Sequence, residues 1–163
     1  MSDVHPEPPG PGQESVWDYP EAPVLQANTR ELTVVFGGVV VAHTTGGFRV
    51  LERGVAPVFY FPPGDVRDGT LVAAEYTTTC PHKGTAQYFD VHGGGGSASQ
   101  SAWSYLTPSP GFEAIAKHVA FYAGPMDRCE VDGEVVTPQP GGFLGGWITS
   151  QVVGPFRGQQ GIR

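Results

Sequence analysis

Short runs of β-branched and aromatic residues, each ended by glycine or proline, set the pattern of this chain. Leu32–Phe36 and Val39–His43 flank Gly37-Gly38, the pattern of a hairpin closed by a primed turn. Phe48–Glu52 predicts a third strand, with Arg49 and Leu51 on one face and Val50 and Glu52 on the other. Val58–Phe61 predicts a fourth, ended by Pro62-Pro63-Gly64-Asp65. Leu71–Thr79 and Thr85–Val91 form a pair around the segment Cys80-Pro81-His82-Lys83-Gly84. Gly93–Gly96, followed by Ser97, Ser99 and Ser101, predicts a flexible loop. Gln100–Tyr105 reads as a strand, as does Val119–Tyr122. Met126–Val131 and Glu134–Thr137 flank Asp132-Gly133 as a second hairpin. Only Phe112–His118 has helical spacing, which predicts one two-turn helix. Pro138–Arg163 is rich in glycine and proline and predicts an irregular wrap anchored by Phe143, Trp147, Val152, Val153 and Phe156.

The expected fold is therefore all-β and mainly antiparallel, a compact single-domain barrel or folded sheet with one short helix near 112–118. Residues 15–157 form the domain. Residues 1–14, with Pro6, Pro8, Pro9 and Pro11, are expected to be a disordered leader, and 158–163 a flexible tail.

Composition narrows the function classes. The chain has 163 residues, with 24 glycines, 16 prolines and only 15% charged residues, which favours many turns and short strands. A net charge of -7 without any Lys/Arg cluster argues against nucleic acid and anionic membrane as partners. No apolar stretch approaches a membrane span, and no basic region precedes an apolar run at the N-terminus. The expected compartment is the cytoplasm, with Cys80 and Cys129 both reduced. The two cysteines form no CxxC pair, and His5, His43, His82, His92 and His118 show no ligand spacing, so no metal is expected. The four glycines at 93–96 lack the Lys-Ser/Thr of a phosphate loop, and no G-x-S-x-G elbow occurs. No cofactor is implied.

The densest chemistry lies in Thr77–Tyr88. Pro81 ends one strand and Gly84 turns the chain back, so Cys80 and Lys83 stand at the two ends of one tight turn. A neighbouring cation favours the nucleophilic thiolate, and a desolvated lysine is itself a nucleophile. Cys80 or Lys83 is thus the candidate nucleophile of a small-molecule enzyme. Tyr88 and Tyr105 are candidate proton donors, and Glu52 or Asp90 the base. Arg49, Tyr60, Tyr76, Asp90, Trp103 and Tyr105 are candidates for orienting a polar ligand at a barrel mouth. The plainer alternatives are that Cys80 packs as a small hydrophobe, that Arg49–Glu52 and Glu75–Lys83 are ordinary ion pairs, and that the aromatics are core. A non-catalytic module binding a metabolite or peptide, and a homodimer built on the C-terminal wrap, remain open beside the enzyme.

The residues carry a family likeness as well. Trp17-Asp18-Tyr19-Pro20, Phe36-Gly37-Gly38, Arg49-Val50-Leu51-Glu52 and Tyr60-Phe61-Pro62-Pro63 are part of it. So are Cys80-Pro81-His82-Lys83-Gly84-Thr85-Ala86, Ala102-Trp103-Ser104-Tyr105, Val131-Asp132-Gly133-Glu134 and Pro138–Phe143. Through these the chain resembles the domain-of-unknown-function 427 family (DUF427) over about residues 15–160. The resemblance implies a compact β-tent or Mss4-like fold. Zinc held by CxxC pairs in that fold class does not transfer, because the pairs are missing. The family's nucleotidyltransferase-like label implies paired carboxylates on a strand near a Gly-Ser turn, and this chain has none there. Leu106-Thr107-Pro108 departs from the family pattern, in which a proline closely follows the tyrosine.

Overall fold

The computed structural model describes residues 4–163. In chain order the strands are β1 (Glu14–Ser15), β2 (Val24–Asn28), β3 (Leu32–Phe36), β4 (Val39–Thr44), β5 (Gly47–Glu52) and β6 (Val55–Tyr60). The long strands β7 (Leu71–Cys80), β8 (Gly84–Gly93) and β9 (Gly96–Tyr105) follow. Short strands complete the chain: β10 (Ala120–Phe121), β11 (Arg128–Val131), β12 (Glu134–Val135), β13 (Thr137–Pro138), β14 (Trp147–Ile148) and β15 (Val152–Val153).

The fold is all-β and mostly antiparallel. Three sheets carry it, in the orders β12-β11-β3-β4, β10-β9-β8-β7 and β2-β5-β6. Two short pairs, β13–β14 and the parallel β1–β15, fasten the C-terminal segment. No closed barrel forms among the described residues. The folded-sheet alternative holds, because the long hairpin β7–β8–β9 ends at an unpaired edge on β7 instead of joining another sheet.

Turn chemistry explains the two hairpins. Gly37 and Gly38 take φ of 61° and 76°, and Asp132 and Gly133 take 49° and 81°, the left-handed pairs that a primed turn requires. The first turn then meets another. A Cβ on Gly37 would overlap the Gly93 carbonyl, and one on Gly94 would overlap the Gly37 carbonyl. Glycine at both places lets two backbones touch. Gly93–Gly96 is therefore no flexible loop: it is the tight β8–β9 turn, held by this contact.

Three apolar clusters fill the molecule. The largest lies between the β3–β4–β11 sheet and strands β6, β9 and β10, with Leu32, Val34, Phe59, Phe61, Phe121 and Trp147 at its centre. Phe61 meets Phe121 edge-on at 5.5 Å, and Trp147 Nε1 donates to the Phe121 carbonyl at 3.0 Å. The second cluster, around Tyr60, Tyr88, Trp103, Tyr105 and Ile115, forms one wall of the site described below. The third packs Val16, Tyr19, Val152 and Phe156 from the two end segments against Leu51 of β5 and Ala56 of β6.

Several sequence expectations need correction. The helix predicted over 112–118 is a single 3-10 turn at Glu113–Ile115, ended by Lys117 at φ 63°. Ile115 is its only buried residue, so one turn suffices to seat it and nothing favours a second. The C-terminal wrap contains β14 and β15. Within the stretch 1–14, several groups bond to the C-terminal segment. Glu7 N donates to Gly154 O, Gln13 Nε2 to Ser150 O, and Glu14–Ser15 pairs with Val152–Val153. Met1–Asp3 lie outside the described residues. The tail closes on itself through Ile162 N to Gln159 O.

Candidate functional site

Period-two alternation builds the site. The registers Thr78↔Ala86↔Tyr105 and Tyr88↔Trp103 put Thr78, Ala86, Tyr88, Trp103 and Tyr105 on one face of β7–β8–β9. Cys80 shares that face two residues beyond Thr78. Opposite stand Glu52 from the end of β5 and Val55, Val58 and Tyr60 from β6. Phe143-Leu144-Gly145 crosses as a strap. Between them lies a cavity of about 270 Å³ that Cys80, Pro81 and Lys83 also border.

The aromatic walls touch one another. Tyr88 lies 6.1 Å from Trp103, and Trp103 lies 4.6 Å from Tyr122, centroid to centroid. Tyr60 and Tyr105 are 6.5 Å apart. Trp103 Nε1 donates to the Tyr60 hydroxyl at 3.4 Å, and Thr78 Oγ1 donates to the Tyr88 hydroxyl at 3.2 Å. The ammonium of Lys83 sits over the Tyr105 ring, 5.9 Å from its centroid, a cation–π distance. Burial pushes the phenols of Tyr60, Tyr105 and Tyr122 well above the usual tyrosine range, so all three stay protonated near neutrality.

A second groove of about 430 Å³ continues past the strap. It shares Tyr88, Tyr122 and Phe143–Gly145 with the first and adds Tyr76, Ser99 and Gln100. The strap is fixed at two points. The Tyr122 hydroxyl donates to the Phe143 carbonyl at 2.8 Å, and Gly145 rests against the Trp103 ring, where a Cβ would overlap it. Phe143 borders both spaces and is 67% exposed.

The sequence candidates divide. Glu52, Tyr60, Cys80, Lys83, Tyr88, Trp103 and Tyr105 all border the one cavity. Tyr76 borders only the adjoining groove, edge-on to Tyr88 at 4.9 Å. Arg49 lies elsewhere. It takes the Leu51 face of β5 and forks onto Glu14 Oε1 and Oε2 at 2.9 and 3.0 Å, and it also donates to Gln26. Its partner is thus Glu14 and not Glu52. Asp90 Oδ1 accepts from the backbone of Gln100 at 2.8 Å, which steadies that residue at φ 50°. Neither Arg49 nor Asp90 borders the cavity. The Glu75–Lys83 pair does not form within 4.0 Å among the described residues. Thr78, inside the Thr77–Tyr88 stretch but given no role there, completes the site with Tyr122 and the Leu144-Gly145 strap, which the sequence did not single out. Tyr122 stood visible at the end of an apolar run; the strap is brought in by distant pairing that no local pattern reveals.

The two thiols differ. Cys129 is 1% exposed in the main core, and burial pushes its thiol up to about 12. Cys80 is half-buried at the cavity edge. Among the described residues no cluster of three or more His, Cys, Asp or Glu is placed to hold a metal. Among them, too, no helix is long and apolar enough to cross a membrane.

Residues 24–132 match the family described as a domain of unknown function (DUF427). No curated protein matches the chain.

Proposed function

The chain belongs to the DUF427 family, and from that premise we propose that it binds a small planar organic molecule between β6, β7–β9 and the Phe143–Gly145 strap. The observation that carries this reading is the convergence of Tyr60, Tyr88, Trp103, Tyr105 and Tyr122 on one cavity. Aromatic faces are large and apolar, and they favour flat partners at stacking distance. A packed core would have filled the same space with side chains. Thermal shift against planar fragments tests the reading. A ligand at a hundred times its Kd adds about 2.7 kcal/mol of stability. Trp103→Ala is expected to abolish the shift. A shift unchanged by that variant contradicts the reading.

A second reading makes the protein an enzyme with Cys80 as nucleophile, and one observation favours it. Of the two thiols, the half-buried one borders the cavity and the other is sealed in the core. Iodoacetamide alkylation across pH separates the two readings, since displacement of iodide by the thiolate forms the thioether. A Cys80 no faster than free cysteine leaves binding alone. Two unpaired thiols also support a cytoplasmic setting.

A further inference from the structure

The cavity is unevenly supplied with hydrogen-bonding groups. Tyr60 is 1% exposed, and its hydroxyl accepts from Trp103 Nε1. Among the described residues its own proton reaches no protein acceptor, and the Tyr105 hydroxyl donates to none either. No carboxylate comes within 4.0 Å of the Lys83 ammonium among those residues. What sets Lys83 apart is its place, over the Tyr105 ring and bordering the cavity. Three donors are therefore unspent around one aromatic space. The cavity's carboxylate, Glu52, sits across from the Lys83 turn at the end of β5.

Resting on the binding reading above, we propose that the ligand is a planar monoanion, an aromatic or conjugated carboxylate. Its carboxylate sits between the Lys83 ammonium and the Tyr60 and Tyr105 hydroxyls, and its unsaturated body lies against Trp103 and Tyr88. The chemistry follows from the donors. A carboxylate accepts up to four hydrogen bonds and rewards charged donors most. Burial keeps Tyr60 and Tyr105 protonated, so they meet an anion as donors. A cationic ligand would face Lys83 at the ring it already covers. A dianion would meet Glu52 at its far end. About 270 Å³ has room for one ring and a short conjugated arm.

The test uses the full chain and three probes of one shape: cinnamate, cinnamamide and cinnamylamine. Binding is read by calorimetry and by the indole N–H resonance of Trp103, assigned with Trp103→Phe. Cinnamate is expected to bind tightest and to shift that resonance. Lys83→Met is expected to weaken cinnamate about ten- to hundredfold, the usual worth of a charged hydrogen bond. The same variant should weaken cinnamamide by a clearly smaller factor than cinnamate, because a neutral carbonyl gains less from the ammonium, and Lys83→Arg should restore most of the loss. Cinnamamide or cinnamylamine binding as tightly as cinnamate, with the Trp103 resonance shifting, overturns the anion and leaves the cavity reading intact. Lys83→Met weakening all three probes equally also overturns it. If no probe moves Trp103 in folded protein at millimolar concentration, the cavity reading fails and the anion with it.

Discussion

Gly145 leaves no room for even one methyl group against the Trp103 ring. Gly145→Ala must push the strap outward or tilt the indole, and overpacking of this kind costs about 1–3 kcal/mol. A lowered Tm together with an altered Trp103 resonance is the expected outcome. The thiols give a second residue-scale prediction. Cys129 is sealed while Cys80 reaches the cavity edge, so an aromatic disulfide reagent should titrate one thiol in the native chain and two after unfolding. A Cys80→Ser variant with a remaining fast thiol would contradict that placement. At this scale the sequence reads well where period-two alternation governs. Tyr88, Trp103 and Tyr105 share a face because their strands alternate and their registers match. Arg49 lies away from the cavity because its partner, Glu14, is 35 positions away on a strand too short to show a pattern. Asp90 likewise lies off the cavity, holding the Gln100 backbone, a role that a lone acid on a strand does not announce.

At the scale of elements, the Glu14 carboxylate ties the short strand β1 to Arg49 on β5. Arg49 holds that carboxyl below the usual glutamate range, with burial opposing and the Tyr19 hydroxyl assisting. A lowered folded value means that the contribution is present above the ordinary glutamate pKa and is lost as pH falls through the lowered one. The pair is partly exposed, so its worth is about 1 kcal/mol or less. Urea melts between neutral and acid pH should show this slope, and Arg49→Met should flatten it. The abutting turns supply another prediction. Gly94→Ala places a Cβ in the Gly37 carbonyl at φ 56°, so it should destabilise by more than about 1 kcal/mol. Gly38→Ala, with open space around it, carries only the φ penalty. Hairpins joined by Gly37-Gly38 and Asp132-Gly133 were legible because the turn chemistry is local. The helix over 112–118 was not, because propensity cannot reveal that a single buried side chain needs only one turn. Strands β13 to β15 are two residues each and exist only through distant partners.

Across the whole molecule, burial raises the phenols of Tyr19, Tyr60, Tyr105 and Tyr122. A raised folded value holds its contribution below the unfolded tyrosine pKa of about 10 and loses it as pH climbs above. Stability should therefore decline steeply on the alkaline side, and Tyr105→Phe should soften the decline. The all-β class was legible from turn density and β-rich runs, whereas closure was not. Whether strands meet edge to edge depends on β7, whose outer edge has no partner strand among the described residues, and no local pattern encodes that. The account stands on the space between Trp103, Tyr60 and the Leu144-Gly145 strap being a place for a guest. Crystals of the full chain soaked with a library of small planar fragments address it directly. Fragment density stacked on Trp103, beside Cys80 and Lys83, is the predicted result. Fragments gathering elsewhere, with that space filled by rearranged side chains, would contradict it.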